Sequence, residues 1–257
     1  MNLSLYWVSL VTLVRKEVTR FLRIWAQTLL PPVINQTLYF VIFGSFIGSQ
    51  VGDINGISYM AFLVPGLVMM SVISASFSNV VSSFFGNKFQ RSIEELMVSP
   101  TPNWVVITGY ASGGVLRGLI VGALVFLVSF FFVQPQIEHP LIIVLFVFLT
   151  SVVFSLGGLV NGIFAKKFDD ISLFSTFILT PLTYFGGVFY SVEMLPEFWQ
   201  GVSKFNPILY MIDGFRYGFY GQSDLNIWSS IGLLCAFTVI LVTLSSYLLR
   251  KGIGMRD

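Results

Sequence analysis

Charged side chains are scarce in this sequence and are missing altogether from six long stretches. Asp, Glu, Lys and Arg make up 10% of the 257 residues, whereas soluble domains carry about 25%. The stretches that contain none of these residues and no His cover 24–52, 54–87, 118–137, 140–165, 171–192 and 225–249. About 20 apolar residues in a helix cross the roughly 30 Å hydrocarbon core of a bilayer. The sequence therefore predicts an all-α polytopic membrane protein with six transmembrane helices, folded as a single domain over residues 1–257.

The sequence also lacks the groups that most catalytic and metal sites need. It has one cysteine, Cys235, and one histidine, His139, so neither a disulfide nor a thiolate metal site is available. The motifs G-x-x-x-x-G-K-[ST], H-E-x-x-H and G-x-S-x-G do not occur, which leaves no phosphate-binding loop and no hydrolase signature. We therefore expect no enzymatic activity, no cofactor and no metal in this chain.

Acidic residues and histidine are absent from all six apolar stretches. Ion-coupled carriers normally place such residues within their spans, where they relay protons or bind ions. The composition therefore disfavours a stand-alone carrier and describes a membrane bundle without its own energy source.

The basic residues fall mainly on one side of the predicted spans. Eleven of the 14 lie in the N-terminal segment, the 86–103 loop, the 166–170 loop and the C-terminus, whereas Lys204 and Arg216 lie in the connection 191–226. Because Lys and Arg collect in cytoplasmic loops, we predict that both termini face the cytoplasm. The net charge of +2 is too small to indicate nucleic-acid binding.

Two segments outside the spans have helical apolar periodicity. In residues 1–23 and just beyond, the apolar face comprises Trp7, Leu10, Val11, Val14, Val18, Phe21, Leu22 and Trp25. With Lys16, Arg20 and Arg23 on the opposite face, this pattern is typical of a helix in the membrane interface. An ordinary surface helix is the alternative.

The second periodic segment lies in the cytoplasmic loop 86–103. Its apolar face comprises Phe89, Ile93, Leu96 and Met97, and its charged residues are Lys88, Arg91, Glu94 and Glu95. Pro100 and Pro102 end the helix. The pattern fits both a solvated connector and a helix that docks on a partner.

The long outer connection 191–226 is rich in aromatic residues and is divided by Pro196 and Pro207. Its apolar pieces are too short to span, which predicts re-entrant or interfacial helices. Within the spans, Gly114, Gly118 and Gly122 share one helical face, which favours close helix packing.

Arg117 is the one charge inside the long apolar region. An intramembrane charge is a functional candidate by default. The alternative is that Arg117 lies near the cytoplasmic boundary and extends its guanidinium out to the interface.

Two stretches resemble the ABC export permeases of the type-two family. They are residues 84–100, FFGNKFQRSIEELMVSP, and residues 186–196, GGVFYSVEMLP, the latter followed by Phe205-Asn206-Pro207 and Asp213-Gly214-Phe215-Arg216. With the six-span plan and the charge distribution, the resemblance covers the whole chain.

The resemblance implies a homodimer of permeases in the bacterial inner (plasma) membrane, in contact with membrane lipids and bound to two separate ATP-binding-cassette (ABC) ATPase subunits. The segment 86–103 then forms the helix that couples to the ATPase, with the coupling residues Lys88, Phe89, Arg91, Ile93, Glu94, Glu95 and Leu96. The second and fifth spans would line the transport path, with the candidates Phe77, Phe84, Phe177, Tyr184, Phe185 and Phe189. Residues 191–220 would form a re-entrant outer gate.

These features lead to the expectation of a permease subunit that exports a hydrophobic drug-like or lipid-linked substrate, because the candidate path residues are aromatic. A polysaccharide or glycoconjugate export permease, a stand-alone carrier and a passive lipid scramblase are the alternatives.

Overall fold

The computed structural model describes residues 3–254, without the side chains of Leu3, Ser49 and Met97. Of these described residues, 81% are helical. Its helices are α1 (Leu3–Arg23), α2 (Trp25–Tyr39), α3 (Gly48–Val51), α4 (Tyr59–Phe89), α5 (Ser92–Val98), α6 (Asn103–Ser129), α7 (Pro140–Phe164), α8 (Phe168–Phe174), α9 (Thr180–Tyr184), α10 (Glu197–Ser203), α11 (Pro207–Tyr220) and α12 (Ile227–Lys251). Residues 1 and 2 of the predicted N-terminal helix and Arg256 lie outside the described residues.

Short segments of other types complete the fold. A π-helical segment, Phe40–Ile47, joins α2 to α3, and a second one, Ser175–Leu179, joins α8 to α9. Strands β1 (Asp53–Ile54) and β2 (Ile57–Ser58) form an antiparallel hairpin. Its turn is Asn55-Gly56, both with positive φ, which is the residue pair that a type I′ hairpin turn prefers.

Five helical runs among the described residues are long and apolar enough to cross a membrane. They are Trp25–Ile47, Tyr59–Phe89, Asn103–Ser129, Pro140–Phe164 and Ile227–Lys251. The remaining predicted span, 171–192, contains a shorter run, because the helix that starts at Phe168 ends at Tyr184. The chain then turns at Gly187, which has a φ of +77°.

The third span extends on both sides of Arg117. The sequence placed Arg117 within this span, and α6 begins at Asn103 and ends at Ser129. Arg117 therefore lies near the middle of this helix. It is accommodated there because its Nη2 donates a hydrogen bond to the carbonyl of Thr28 at 3.0 Å.

Helix α4 forms the centre of the bundle and packs against both α6 and α7. At Gly118 of α6, an added Cβ would lie 2.0 Å from the hydroxyl of Ser76, and at Gly158 of α7 it would lie 2.5 Å from the carbonyl oxygen of Phe77. The glycines that the sequence marked as packing positions therefore bring helices together within the subunit. In lipid, such close approach supplies much of the attraction between helices.

The bundle has two ends, distinguished by what meets there. At one end, which we call the basic end, α1, α5, the end of α7 and the end of α12 lie together. Lys16 Nζ donates to Asn87 Oδ1 at 3.2 Å, and Gly254 approaches the carbonyl of Ile163. At the opposite end, the hydroxyl of Tyr220 donates to the carbonyl of Ala61 at 2.7 Å. The predicted cytoplasmic segments thus share one end of the molecule.

Candidate functional site

The last residues of α4, the turn after them and α5 lie at the basic end of the bundle. We call this segment, residues 88–98, the knuckle. Helix α4 ends at Phe89, and α5 begins at Ser92, immediately after Arg91. Arg91 adopts a left-handed conformation with a φ of +60°, which costs a non-glycine residue about 1–2 kcal/mol. This turn allows α5 to change direction and lie across the end of the bundle.

Ile93 anchors α5 to its own subunit. Its side chain is 2% exposed and belongs to a core cluster with Leu13, Phe84 and Tyr110. Burial of such a side chain contributes about 1.5–3 kcal/mol. Ile93 was predicted to contact the ATPase, but the structure places it inside the permease, where it fixes the position of α5.

The opposite side of the knuckle is open to the surroundings. Phe89 is 64% exposed and Val98 is 87% exposed, and between them Arg91, Glu94 and Glu95 are also exposed. Leu96 is half-buried. Sequence reasoning missed Val98, because it follows the last residue of the predicted apolar face; its position just before Ser99-Pro100 could have marked it.

Lys88 points toward the protein rather than outward. Its Nζ donates to the carbonyls of Ile163 at 2.9 Å and Ala165 at 2.7 Å. These carbonyls belong to the carboxyl end of α7, where a cation is favoured by the helix dipole. The predicted coupling residue Lys88 therefore ties the knuckle to the end of the fourth span.

The second basic-end loop, 166–170, lies beside the knuckle. Backbone N–H groups of Lys166 and Lys167 donate to the carboxylate of Asp170 at 2.8 and 3.0 Å, and these bonds hold the pKa of Asp170 below its usual value. The ring of Phe168 lies 4.9 Å from that of Phe89. Exposed Phe168 thus extends the surface of the knuckle, a contact that sequence reasoning did not predict.

The two path candidates of the second span do not face outward. Phe77 and Phe84, both predicted to line the transport path, are buried within the subunit. Phe77 stacks on Phe174 with ring centroids 5.4 Å apart, and Phe84 meets Tyr110 edge-on. The less buried face of the same stretch of α4 carries Ser74, Ser78 and Ser82 instead.

The predicted path residues of the fifth span are more accessible. Phe177 is 71% exposed and Tyr184 is also exposed, whereas Phe185 and Phe189 are half-buried. The hydroxyl groups of Tyr184 and Tyr39 are hydrogen-bonded at 2.9 Å. The first span and the predicted fifth span therefore meet at an aromatic cluster, where the rings of Phe43 and Phe189 lie 4.6 Å apart.

Two buried charges on α11 organise the end of the bundle opposite the knuckle. The guanidinium of Arg216 donates to the carbonyl of Gly187 at 2.7 Å and lies 3.8 Å from the ring centre of Phe62. One turn away, the carboxylate of Asp213 accepts hydrogen bonds from Ser223 and from the backbone of residues 224 and 225. Together they fix the turn after the fifth span and the loop before the last one.

No group of three or more His, Cys, Asp or Glu residues that could hold a metal occurs among residues 3–254. The geometry is that of a helical membrane bundle with an anchored knuckle at one end and a folded aromatic segment at the other.

Comparison with known proteins identifies the family. Residues 8–220 match the family model of the ABC-2 type transporter. The chain is 57% identical to the inner membrane transport permease YadH of Escherichia coli K12, over 99% of this chain and 100% of that protein. It is 24% identical to nodulation protein J of Rhizobium leguminosarum bv. viciae, over 88% of this chain and 90% of that protein.

This chain therefore belongs to the ABC-2 type transporter family. Its members are permeases, and the chain is accordingly a membrane permease subunit of an ABC transporter. The family predicted from residues 84–100 and 186–196 is confirmed.

Proposed function

We propose that this chain forms the membrane path of an ATP-driven exporter that moves a hydrophobic drug-like or lipid-linked compound out of the cytoplasm. ATP is hydrolysed on a separate ABC ATPase subunit. The observation that carries this proposal is the knuckle: Ile93 fixes it to the bundle, while Phe89, Glu94, Glu95 and Val98 remain exposed. A surface that is rigidly attached on one side and open on the other suits the transfer of motion from a partner.

The topology follows from the same arrangement. Residues 171–192 make the fifth of six crossings of the bacterial inner membrane, and both termini lie in the cytoplasm. The clustering of α1, the knuckle and the end of α12 at one end of the bundle supports this orientation, because basic residues collect on the cytoplasmic side. The outer end then carries α10 and α11 as a re-entrant segment.

Helix α1 lies in the cytoplasmic membrane interface. Its side chains Trp7, Val8 and Val11 are exposed, and Arg15 lies beside them. An exposed apolar stripe flanked by a basic residue is favoured at the boundary between acyl chains and anionic headgroups. The opposite side of α1 packs on the bundle.

Two copies of the permease assemble with two ATPase subunits. The first and fifth spans leave long apolar faces uncovered in the single subunit, including Ile34, Leu38, Phe46, Phe177 and Ile178. A second permease that covers part of these faces would enclose a path between the two copies.

The cargo proposal depends on the accessible side chains of that path. Phe177 and Tyr184 supply aromatic surface, which suits a hydrophobic or lipid-linked compound. A glycoconjugate is the second candidate, since the Tyr39–Tyr184 hydroxyl pair and the serines on α4 offer hydrogen-bonding groups. A deletion strain that accumulates a fluorescent hydrophobic dye, with unchanged surface glycans, would support the first candidate; the reverse result would overturn it.

The coupling role is tested by charge reversal on the knuckle. We expect Glu94→Arg and Glu95→Arg to leave membrane insertion intact but to weaken ATPase binding roughly tenfold or more, because charge reversal at an interface costs several kcal/mol. The measurement is co-purification with the ABC ATPase, and Glu197→Arg on exposed α10 is the matched control. Wild-type binding by both knuckle variants would reject the role, and a permease that never binds an ATPase would indicate a stand-alone carrier or a scramblase.

A further inference from the structure

Three polar contacts join α1 to the basic end of α4. They involve residues spaced four apart on α4, and the pairs are Asn79 with Arg20, Ser83 with Glu17, and Asn87 with Lys16. Residue numbers fall along α1 as they rise along α4, so the two helices run antiparallel. We call these three pairs the α1–α4 ladder.

The two buried pairs of the ladder, Arg20 with Asn79 and Glu17 with Ser83, have good hydrogen-bond geometry. Nη2 of Arg20 donates to both the side-chain and the backbone oxygen of Asn79, each at 2.9 Å. The hydroxyl of Ser83 donates to Oε1 of Glu17 at 2.8 Å, and Nε of Arg20 lies 3.4 Å from Oε2 of the same carboxylate. Glu17 is the only acidic residue in α1.

The ladder is graded in burial. Glu17 and Asn79 are 0% exposed and the side chain of Arg20 is 31% exposed, whereas the contact between Lys16 and Asn87 is exposed. A buried carboxylate is tolerated only when charged and hydrogen-bonding partners compensate its lost hydration. Removal of Arg20 therefore leaves a buried charge without its cation, but removal of Lys16 does not.

Glycines of α6 allow α1 to reach α4. An added Cβ at Gly113 would lie 2.7 Å from Cβ of Glu17, and at Gly109 it would lie 2.2 Å from Leu13. Helix α1 thus packs mainly on α6, and its ladder side chains reach α4 from there. Attachment of α1 through the lipid interface alone would not require such close packing against the bundle.

Both ends of the ladder lead to elements that the proposed transport cycle uses. At the knuckle, the hydroxyl of Ser92 donates to the carbonyl of Asn87 at 3.1 Å. At the other end, the hydroxyl of Thr28, in the first turn of α2, donates to the carbonyl of Phe21 at 3.0 Å. Arg117 then holds the carbonyl of Thr28.

From these contacts we propose that the ladder makes α1 and the basic half of α4 one rigid body, with Glu17 and Arg20 as its positioning residues. The proposal rests on the proposed function for its role: when the ATPase moves the knuckle, α1 follows α4 and carries the start of the first span with it. If α1 were only a lipid anchor, its position relative to α4 would not depend on Glu17 or Arg20.

The first test uses the purified full-length permease alone, in lipid nanodiscs. In a Cys235→Ser background, spin labels at Thr12→Cys and Ser82→Cys, both exposed sites, report the distance between α1 and α4 by electron double resonance. We expect one narrow distance distribution in the wild type and in Lys16→Met, and loss of that single peak in Arg20→Met. Both substitutions remove one positive charge from α1. They differ in that the partners of Arg20 are buried, whereas the contact of Lys16 with Asn87 is exposed.

Glu17→Gln is the milder variant if Arg20→Met does not fold, and it too should broaden the distribution. The rigid-body proposal is overturned if Arg20→Met, or in its place Glu17→Gln, keeps the wild-type peak. Equal broadening in Lys16→Met would also overturn it, because the buried pairs would then have no special role.

The second test uses the complex with the ATPase, trapped with ATP and vanadate. Distances from Thr12 and from Ser82 to a third label at exposed Val239 on α12 are expected to shift together, while the distance between Thr12 and Ser82 stays fixed. In Glu17→Gln, Ser82 should still move and Thr12 should no longer follow. A wild-type shift of Ser82 alone would contradict the ladder proposal, whereas the absence of any shift would count against the proposed function and leave the result from the permease alone to decide the ladder.

Discussion

At the scale of single residues, the side chain of Lys88 links the end of α4 to the end of α7. Its ammonium group bonds two carbonyls at the end of α7, while its backbone belongs to the last turn of α4. Charge-assisted hydrogen bonds of this kind are shorter and stronger than neutral ones. Lys88 therefore stabilises the position of the knuckle relative to α7.

We expect Lys88→Met to lower the free energy of unfolding by about 1–2 kcal/mol, because the α7 carbonyls lose a charged donor. Thermal unfolding of the purified permease measures this loss. Lys251→Met, at the exposed end of α12, is the matched control and should change stability by less than half as much. Equal effects of the two substitutions would show that the α7 contact has no particular value.

At the scale of elements, the closest helix contacts depend on glycine. Gly109 and Gly113 admit α1, and Gly118 admits α4, to the surface of α6. Side chains at these positions would separate helices that otherwise touch. The third span is therefore the element against which both the N-terminal helix and the central helix are positioned.

Gly113→Ala should destabilise the permease by about 1–3 kcal/mol, since the added methyl group would overpack against Glu17. Gly232→Ala is the control, because a Cβ on that exposed glycine of α12 meets nothing within 4 Å. It should instead stabilise the helix by about 0.5–1 kcal/mol. Differential scanning fluorimetry on both variants measures the contrast, and destabilisation of similar size in both would refute the packing argument.

The elements also show what the sequence could predict. Five of the six predicted spans correspond to helical runs that are long and apolar enough to cross a membrane, because the cost of a charge in lipid dominates composition. The position of Arg117 along the third span could not be fixed from the sequence, because the start of that helix was open; α6 begins at Asn103, and Arg117 reaches the carbonyl of Thr28 across the bundle. Contacts between residues distant in sequence, such as Arg216 with Gly187, likewise lie at the end of the shorter helical run in 171–192.

For the candidate site, too, the sequence predicted the helix but not its contacts. The amphipathic pattern in 86–103 predicted a helix there, and α5 confirms a helix over Ser92–Val98. The pattern could not tell which apolar residues face the bundle, so Ile93 and Val98 could be separated only by the fold. The buried Glu17 could not be assigned a partner from sequence, because Ser83 is 66 residues away.

At the scale of the whole molecule, two ends perform different tasks in the proposed cycle. The basic end presents the knuckle, with Phe168 from the neighbouring loop beside it. The outer end is held together by buried Asp213 and Arg216. Between them, the ladder and the central helix α4 provide a continuous mechanical connection, which the permease needs because its energy comes from a partner.

The most direct test of that dependence is site-specific photocrosslinking in living cells. A photoreactive residue at Val98, on the exposed side of the knuckle, should capture a protein that mass spectrometry identifies as an ABC ATPase. The same photoreactive residue at Phe198, which is 72% exposed on α10 at the other end, should capture no ATPase. An ATPase adduct from Val98 alone is the predicted result; no ATPase adduct from Val98 in a correctly inserted permease would contradict the account.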